Sequence, residues 1–244
     1  MIIKEDEILE DLQIGGLFLI QKKQGFKFGT DAVLLSDIAK TCSSNRTLDL
    51  CTGSGIVPVL LSAKTSTPHI DGLEIQPEIA DMAKRSVEYN NLHSKVHIEC
   101  GDLKNPPYAK SSFDVITCNP PYIKNGSAIK NEKDSKIIAR HEVACTLDDV
   151  LRVSSELLAP QGQFFMVHRP SRLSDIFCIM RAHKIEPKIM RLIAPSAGKA
   201  PNLVLIGGRL GGGAELKILP TLFMTDKNGN ESKEVQEIYG RGLI

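Results

Sequence analysis

The chain has 244 residues, 42% of them hydrophobic, and a formal net charge of +1. That is enough apolar material for one large core, and too little charge of either sign to mark a binder of nucleic acid or acidic substrates by composition alone. No apolar run reaches membrane-spanning length, and the acidic start from Met1 to Glu7 is unlike a leader, so a soluble, cytoplasmic protein is expected. The six cysteines, at 42, 51, 100, 118, 145 and 178, show no CxxC spacing. They are expected to be buried free thiols in a reducing compartment, with neither a disulfide frame nor a zinc site.

Residues 1–30 form an irregular lead in which Leu17–Ile20 and Gly25–Phe28 are expected as two small strands. Gly29-Thr30-Asp31 offers helix-capping chemistry before the apolar run Ala32–Leu35. Strand and helix signals then alternate. Strands are predicted at Thr47–Cys51, His69–Glu74, Val96–Cys100, Phe113–Cys118 and Gln163–Val167. Helices are predicted at Ile56–Lys64, from Pro77 to Asn91, over Leu147–Leu158 and over Ser171–Ala182. Ile185–Ile193 and Leu203–Ile206 can close the sheet as a hairpin. This alternation predicts an α/β fold with a doubly wound, mostly parallel sheet, its catalytic domain spanning 31–210. The loop from Ile123 to Cys145 is long and polar, a length that usually carries function or mobility. Residues 211–244 read as a tail packing on the domain, with Val235–Tyr239 as a short docking helix.

Asn119-Pro120-Pro121-Tyr122 follows the strand predicted at Phe113–Cys118. Two prolines cannot continue a ladder, so the strand stops there, at the carboxyl end where open α/β sheets place their ligands. The stiff turn leaves carbonyls free between an amide and an aromatic ring. Asn119 Oδ1 and the Pro120 carbonyl can accept from the two N–H bonds of an exocyclic amine while Tyr122 stacks on the ring that carries it. A plain strand terminator has the same composition.

The wider pattern favours the first reading. Leu48-Asp49-Leu50-Cys51-Thr52-Gly53-Ser54-Gly55 runs from strand through a glycine turn into a helix, a place where backbone closely approaches a ligand. It lacks the full GxGxxG of a dinucleotide site. Glu74 ends the next strand, roughly 20 residues on, where an acid accepts from ribose hydroxyls. Asp102, followed by Leu103, comes after the third strand and can meet an adenine amino group. Any one of these acids could be a solvated strand end; successive strand ends carrying them together are far more specific.

With these residues the chain resembles the Rossmann-like S-adenosylmethionine-dependent methyltransferases, and Asn119–Tyr122 resembles the signature of those that methylate amines. Phe26–Leu35, Ile138-Ala139-Arg140-His141-Glu142, His168-Arg169-Pro170 and Asn202–Leu205 resemble the bacterial adenine-N6 methyltransferases of valine tRNA. That resemblance implies a seven-stranded sheet and S-adenosylmethionine as cofactor. It implies Asp49, Gly53, Gly55, Glu74, Asp102, Leu103 and Asn119 around the cofactor, with Phe28, Thr30 and Asp31 closing over its methionine end. Asn119, Pro120 and Tyr122 carry the chemistry. The substrate implied is the anticodon stem-loop of the tRNA, methylated at the adenosine 3′ of the anticodon. Cys51 stands where the family usually has glycine.

Residues 168–199 carry Arg169, Arg172, Arg181, Lys184, Lys188, Arg191 and Lys199 against Asp175 and Glu186. Arg169, Arg172, Arg191 and Lys199, with Lys124, Arg140 and His141 of the long loop, are the candidate RNA contacts. The histidines show no metal-ligand spacing, and no metal is expected. A protein glutamine-N5 methyltransferase shares the amide-flanked turn, since a side-chain amide also presents NH2. A non-catalytic RNA-binding module is the alternative of a different class.

Overall fold

The computed structural model describes residues 3–24, 29–40, 42, 44–120 and 145–241. The expected strand at Gly25–Phe28, together with Phe28, Tyr122, Lys124, Arg140 and His141, lies outside them.

The chain opens with a hairpin of β1 (Glu7–Asp11) and β2 (Phe18–Lys22). Then follow α1 (Thr30–Ala39), β3 (Arg46–Leu50), α2 (Ile56–Lys64), β4 (His69–Glu74), α3 (Pro77–Tyr89), β5 (Val96–Cys100) and β6 (Phe113–Cys118). After the loop come α4 (Leu147–Leu157), β7 (Leu158–His168), a 3-10 turn at Pro170–Arg172, α5 (Leu173–Ala182), β8 (Ile185–Ala194) and β9 (Leu203–Leu210). β10 (Lys217–Phe223) and α6 (Lys233–Ile238) complete the chain. The main sheet has the order β10-β8-β9-β7-β6-β3-β4-β5. β9 alone runs against its neighbours β7 and β8; every other pairing is parallel.

Strand order reverses at β3, between β4 and β6. Such a switch point opens a crevice above the carboxyl ends, because the connections on its two sides leave in opposite directions. Two apolar layers cover the sheet. On one face α1, α2 and α3 bury Leu34, Val59, Leu60 and Ala83 against Val115, Phe165 and Leu205. On the other, α4 and α5 bury Val150, Leu157, Ile176 and Met180 against Leu50, Ile116, Phe164 and Met166. The helices follow their apolar periodicity. In α3 the buried positions are Ala80, Met82, Ala83, Ser86 and Val87, one stripe of a 3.6-residue repeat. α4 starts on a capping box: Thr146 Oγ1 accepts from Asp149 N–H at 3.1 Å, and Asp149 Oδ2 accepts from Thr146 N–H at 3.1 Å.

Three expectations need correction. β2 pairs with β1, a strand the sequence did not suggest (Glu7↔Lys22 through Asp11↔Phe18). β1 was hidden because three of its five residues are acidic, and Glu7 is nonetheless buried. Arg85 of α3 explains that burial, donating to both Glu7 oxygens at 2.7 and 2.6 Å. This bidentate pair holds the Glu7 carboxyl below the usual carboxylate range. The sheet has eight strands, not seven: the tail supplies β10, parallel to β8. Its Pro220, and a single buried residue, Leu222, left no strand signal. All six cysteines are free thiols, but only Cys118 is buried: Cys42, Cys51, Cys100 and Cys145 are half-buried and Cys178 is exposed.

Arg85→Met strands a buried carboxylate and should cost roughly 3–5 kcal/mol in urea denaturation. Adding Glu7→Leu removes the orphaned charge and should recover most of the loss.

Candidate active site

The glycine turn after β3 needs three left-handed residues: Cys51 at φ 57°, Gly53 at 58° and Gly55 at 83°. Gly55 is also the N-cap of α2; its left-handed φ favours glycine, and a Cβ there would lie a tight 3.2 Å from the Ala83 Cβ. A Cβ at Gly53 would meet nothing within 4 Å, because the turn opens onto the crevice there. Cys51 holds the left-handed shape with a side chain, at a cost of about 1–2 kcal/mol. The departure from glycine seen in the sequence thus falls on a strained position, while the turn itself is formed.

Glu74 closes this turn from the neighbouring strand. Its carboxylate is buried and accepts from Gly53 N–H at 2.9 Å, from Gln76 N–H at 2.9 Å and from Gln76 Nε2 at 3.1 Å. Ionised carboxylate oxygens offer about four lone-pair directions, so an incoming hydroxyl donor still has a place. The Glu74 carbonyl accepts from Gly101 N–H at 2.9 Å, tying β4 to the start of the next loop. In that loop Asp102 Oδ1 accepts from Lys104 N–H at 2.8 Å, and Leu103 is buried beneath it in the second core.

Asp49 sits inside β3, one layer below, 2% exposed. Its Oδ1 accepts from Thr117 Oγ1 of β6 at 2.6 Å, which pins the strands on either side of the switch point. Burial pushes its carboxyl up to about 7, against the lowering effect of the neighbouring hydroxyls. Asp49 supports the turn from below, whereas Glu74 and Asp102 stand at strand ends beside it. Cys51, Cys118 and Cys145 gather at the turn, where the Cys118 thiol raises Cys51, the Cys51 thiol raises Cys145, and burial raises Cys118. They are therefore protonated and poor nucleophiles.

Asn119 follows β6, half-buried, and its side chain makes no hydrogen bond to any described residue. Pro120 after it is buried. On the other flank, α1 precedes a parallel strand and so runs down from the carboxyl end to the amino end of the sheet. Its first residues, Thr30 and buried Asp31, stand at the carboxyl end, where Asn119, Glu74 and Asp102 end their strands. Of the nine candidate cofactor residues that are described, Gly53, Gly55, Glu74, Asp102 and Asn119 thus lie at or just past the carboxyl ends of neighbouring strands, Thr30 and Asp31 open α1, and Asp49 and Leu103 are buried.

The candidate RNA contacts separate. Arg169 and Arg172 follow β7, and Lys199 lies in the turn between β8 and β9, all at the carboxyl end. Arg169 Nη1 donates to the Asn202 carbonyl at 2.8 Å, and Arg172 pairs with Asp175 in solvent. His168 beside them is buried, and burial together with the Arg172 charge lowers it to about 4. It is neutral and accepts at Nδ1 from Arg169 N–H at 2.8 Å. Arg191 is placed differently. Its guanidinium bonds Glu234 at 2.6 Å and the Pro220 carbonyl at 3.0 Å, clamping β10 and α6 to β8. Sequence reasoning missed this clamp because its partners lie in the tail. A groove lined by Asn45, Asp114 and Gln163 lies at the opposite, amino end of the sheet. Among the described residues no group of His, Cys, Asp or Glu is placed to hold a metal ion, and no helix is long and apolar enough to cross a membrane.

The raised Asp49 carboxyl gives a signed pH dependence. The folded state binds the proton more tightly than the unfolded chain, so stability falls as pH rises from about 4 to about 7 and then levels off. Asp49→Asn should flatten that slope. By calorimetry it should melt above the parent at about pH 8, the two converging below about pH 4.

Residues 22–176 match the family model described as the methyltransferase small domain. The tRNA1(Val) (adenine(37)-N6)-methyltransferase of Bacteroides fragilis strain YCH46 is 31% identical over 187 residues, which are 75% of this chain and 77% of that protein. The enzyme of the same name from Aeromonas salmonicida is 29% identical over 181 residues, 74% of this chain and 75% of its own. Among solved structures, a predicted O-methyltransferase, protein Atu636 from Agrobacterium tumefaciens, superposes with a TM-score of 0.69 at 20% identity, covering 87% of this chain and 96% of that one. At that identity the likeness speaks for the fold and not for the atom methylated. A family match over most of the chain, and a relative above 30% identity across three quarters of it, make the protein a member of the methyltransferase small domain family, alongside the tRNA1(Val) (adenine(37)-N6)-methyltransferases.

Proposed function

We propose that the protein methylates the N6 amine of an adenosine in tRNA, the nucleoside 3′ of the anticodon in a valine tRNA. The observation that carries this reading is the half-buried Asn119 amide. It has no hydrogen bond to a described residue and stands at the carboxyl end of β6, beside the strand ends bearing Glu74 and Asp102. S-adenosylmethionine, when bound, supplies the methyl group. The residues suit it: the Gly53 backbone opens onto space, Glu74 retains acceptor capacity for ribose hydroxyls, and Asp102 stands at the next strand end.

Asn119 Oδ1 and the Pro120 carbonyl accept the two amine N–H bonds. Those bonds draw the nitrogen lone pair out of conjugation with the ring and aim it. Pro120 is buried, and the proline that follows it in the sequence confines Pro120 to the extended region, which sets the direction of its carbonyl. No side-chain base is required before transfer, because the neutral amine attacks and its proton leaves to water afterwards. A base must leave its stack to reach such a turn, and a single-stranded loop lowers that cost. Arg169, Arg172 and Lys199, at the same end of the sheet, supply phosphate contacts.

Asn119→Ala should lower single-turnover methylation of the tRNA by roughly 10²–10³-fold, by analogy with the loss of one oxyanion-hole donor. RNA and cofactor affinity should barely move. Wild-type turnover in this variant would overturn the placement of the chemistry. The substrate itself is checked by labelling unmodified total tRNA with tritiated S-adenosylmethionine and digesting to nucleosides; N6-methyladenosine is the expected product.

Charge reversal at Arg169, Arg172 or Lys199 should weaken tRNA binding and flatten its dependence on salt, by about one unit of slope for each phosphate that is no longer neutralised. Reversal at Arg191 should instead lower the melting temperature, because it breaks the tail clamp. Unmoved salt slopes in all of the first three would make that surface a solvated face.

A further inference from the structure

The strand order lays the side chains of the carboxyl end out in a row. Beside β6, with Asn119 at its end, lies β7, followed by Arg169 and Arg172. Next come β9 and β8, joined by the turn that carries Lys199, and then β10 at the edge. Neighbouring strands are about 4.8 Å apart, which puts β10 about 19 Å from β6. Hydrogen bonds fasten these segments to one another. Arg169 Nη1 reaches the Asn202 carbonyl, and Asn202 N–H donates to the Ile193 carbonyl at 2.9 Å. Met224 N–H donates to the Ala194 carbonyl at 2.9 Å, and Thr225 N–H to the Pro195 carbonyl at 3.0 Å. The chain then turns back over 226–230, where Asp226 Oδ1 accepts from Asn228 N–H at 2.8 Å and Asn230 N–H at 3.0 Å, and Lys227 stands exposed.

Phe223 ends β10 opposite Ala194 of β8 and is 38% exposed. Leu222 before it is buried in the core layer of α1, α2 and α3, so strand alternation turns the Phe223 ring to the other face. The acids of the tail are already matched: Glu234 pairs with Arg191 and Glu231 with Arg241. Lys199 and Lys227 are exposed and pair with no described residue. Pro220 brings no N–H, and the pairing with β8 is irregular between Leu219 and Leu222, so the free edge is a poor template for another strand. What the edge offers is an aromatic ring beside uncompensated cations, the combination that holds unpaired nucleotides by stacking and phosphate contact.

We propose that Phe223 is a stacking platform for an unpaired base of the tRNA other than the methylated one, with Lys199 and Lys227 contacting the backbone beside it. This rests on the reading of the protein as a tRNA methyltransferase with its chemistry at Asn119. The row from Asn119 to Phe223 is then a track that the RNA follows outward from the crevice.

The test is equilibrium binding of an unmodified valine tRNA transcript to the full chain over a series of salt concentrations. Melting of the free protein, binding of S-adenosylmethionine and sedimentation are measured alongside. Phe223→Ala should weaken tRNA binding at least about fivefold, because the stack is lost. Its salt slope should not change, since no phosphate contact goes with the ring, and cofactor affinity and the melting temperature should stay as in the parent. Phe223→Trp should restore the affinity. Lys227→Glu should weaken binding and flatten the salt slope. Arg172→Glu tests the underlying reading. If Arg172→Glu weakens binding while Phe223→Ala binds as the parent does, the stacking role is overturned and the RNA reading stands. If neither weakens it, the RNA reading falls as well. A Phe223→Ala variant that melts lower, and whose tRNA affinity Trp does not restore, would make the ring a packing group and overturn the proposal. So would a parent that sediments as a dimer beside a monomeric Phe223→Ala of unchanged tRNA affinity, which would assign the edge to a second copy of the chain.

Discussion

The clasp between the Glu74 carboxylate and the Gly53 amide holds the architecture of the site in place. A turn with three left-handed residues is unfavourable for the free chain and leaves backbone donors facing a crevice. One buried carboxylate accepts from two successive strand-to-helix turns, Gly53 N–H after β3 and Gln76 N–H at the start of α3. Strand β4 is thereby locked to the end of β3, and the Glu74 carbonyl carries the tie on to Gly101. Below, the Asp49–Thr117 bond fastens β3 to β6, whose end carries Asn119. The cofactor side and the amine side of the crevice are therefore referenced to the same strand, β3.

Buried charge in this protein is matched at short range, and the pairs join segments that are distant in the chain. Glu7 and Arg85 bring the opening hairpin onto α3, helped by Asn90, whose side chain donates to the Phe18 carbonyl at 2.7 Å and accepts from Phe18 N–H at 2.9 Å. Arg191 and Glu234 bring the tail onto β8. Breaking either pair leaves a charge in a partly dry setting, which costs far more than a surface ion pair is worth. The same logic divides the basic segment at 168–199. Arg172 and Lys199 stay exposed, whereas Arg191 is bonded to Glu234 and the Pro220 carbonyl.

The parallel sheet and its helices were legible in the sequence because each is written in a local pattern. α2, β4, β5 and β6 lie at the predicted bounds, where apolar runs meet glycine or proline. Strand-end residues Glu74, Asp102 and Asn119 were legible for the same reason: a strand's end and its first loop residue are adjacent in sequence. β1 and β10 were not. The first hides its buried acid behind a partner 78 residues away, and the second buries only Leu222 beside a proline. Their strand character comes from what they pair with, and no local pattern encodes that.

By itself, the order of apolar runs, turns and strand-end polar residues determined the doubly wound sheet, the glycine turn and the end of β6 at Asn119, because those depend on local periodicity and backbone chemistry. Only the tertiary structure decided that Asp49 lies within the sheet bonded to Thr117 and that Arg191 serves the tail. Those roles depend on which distant side chain fills a given place, and a residue's own neighbours in sequence carry no record of it.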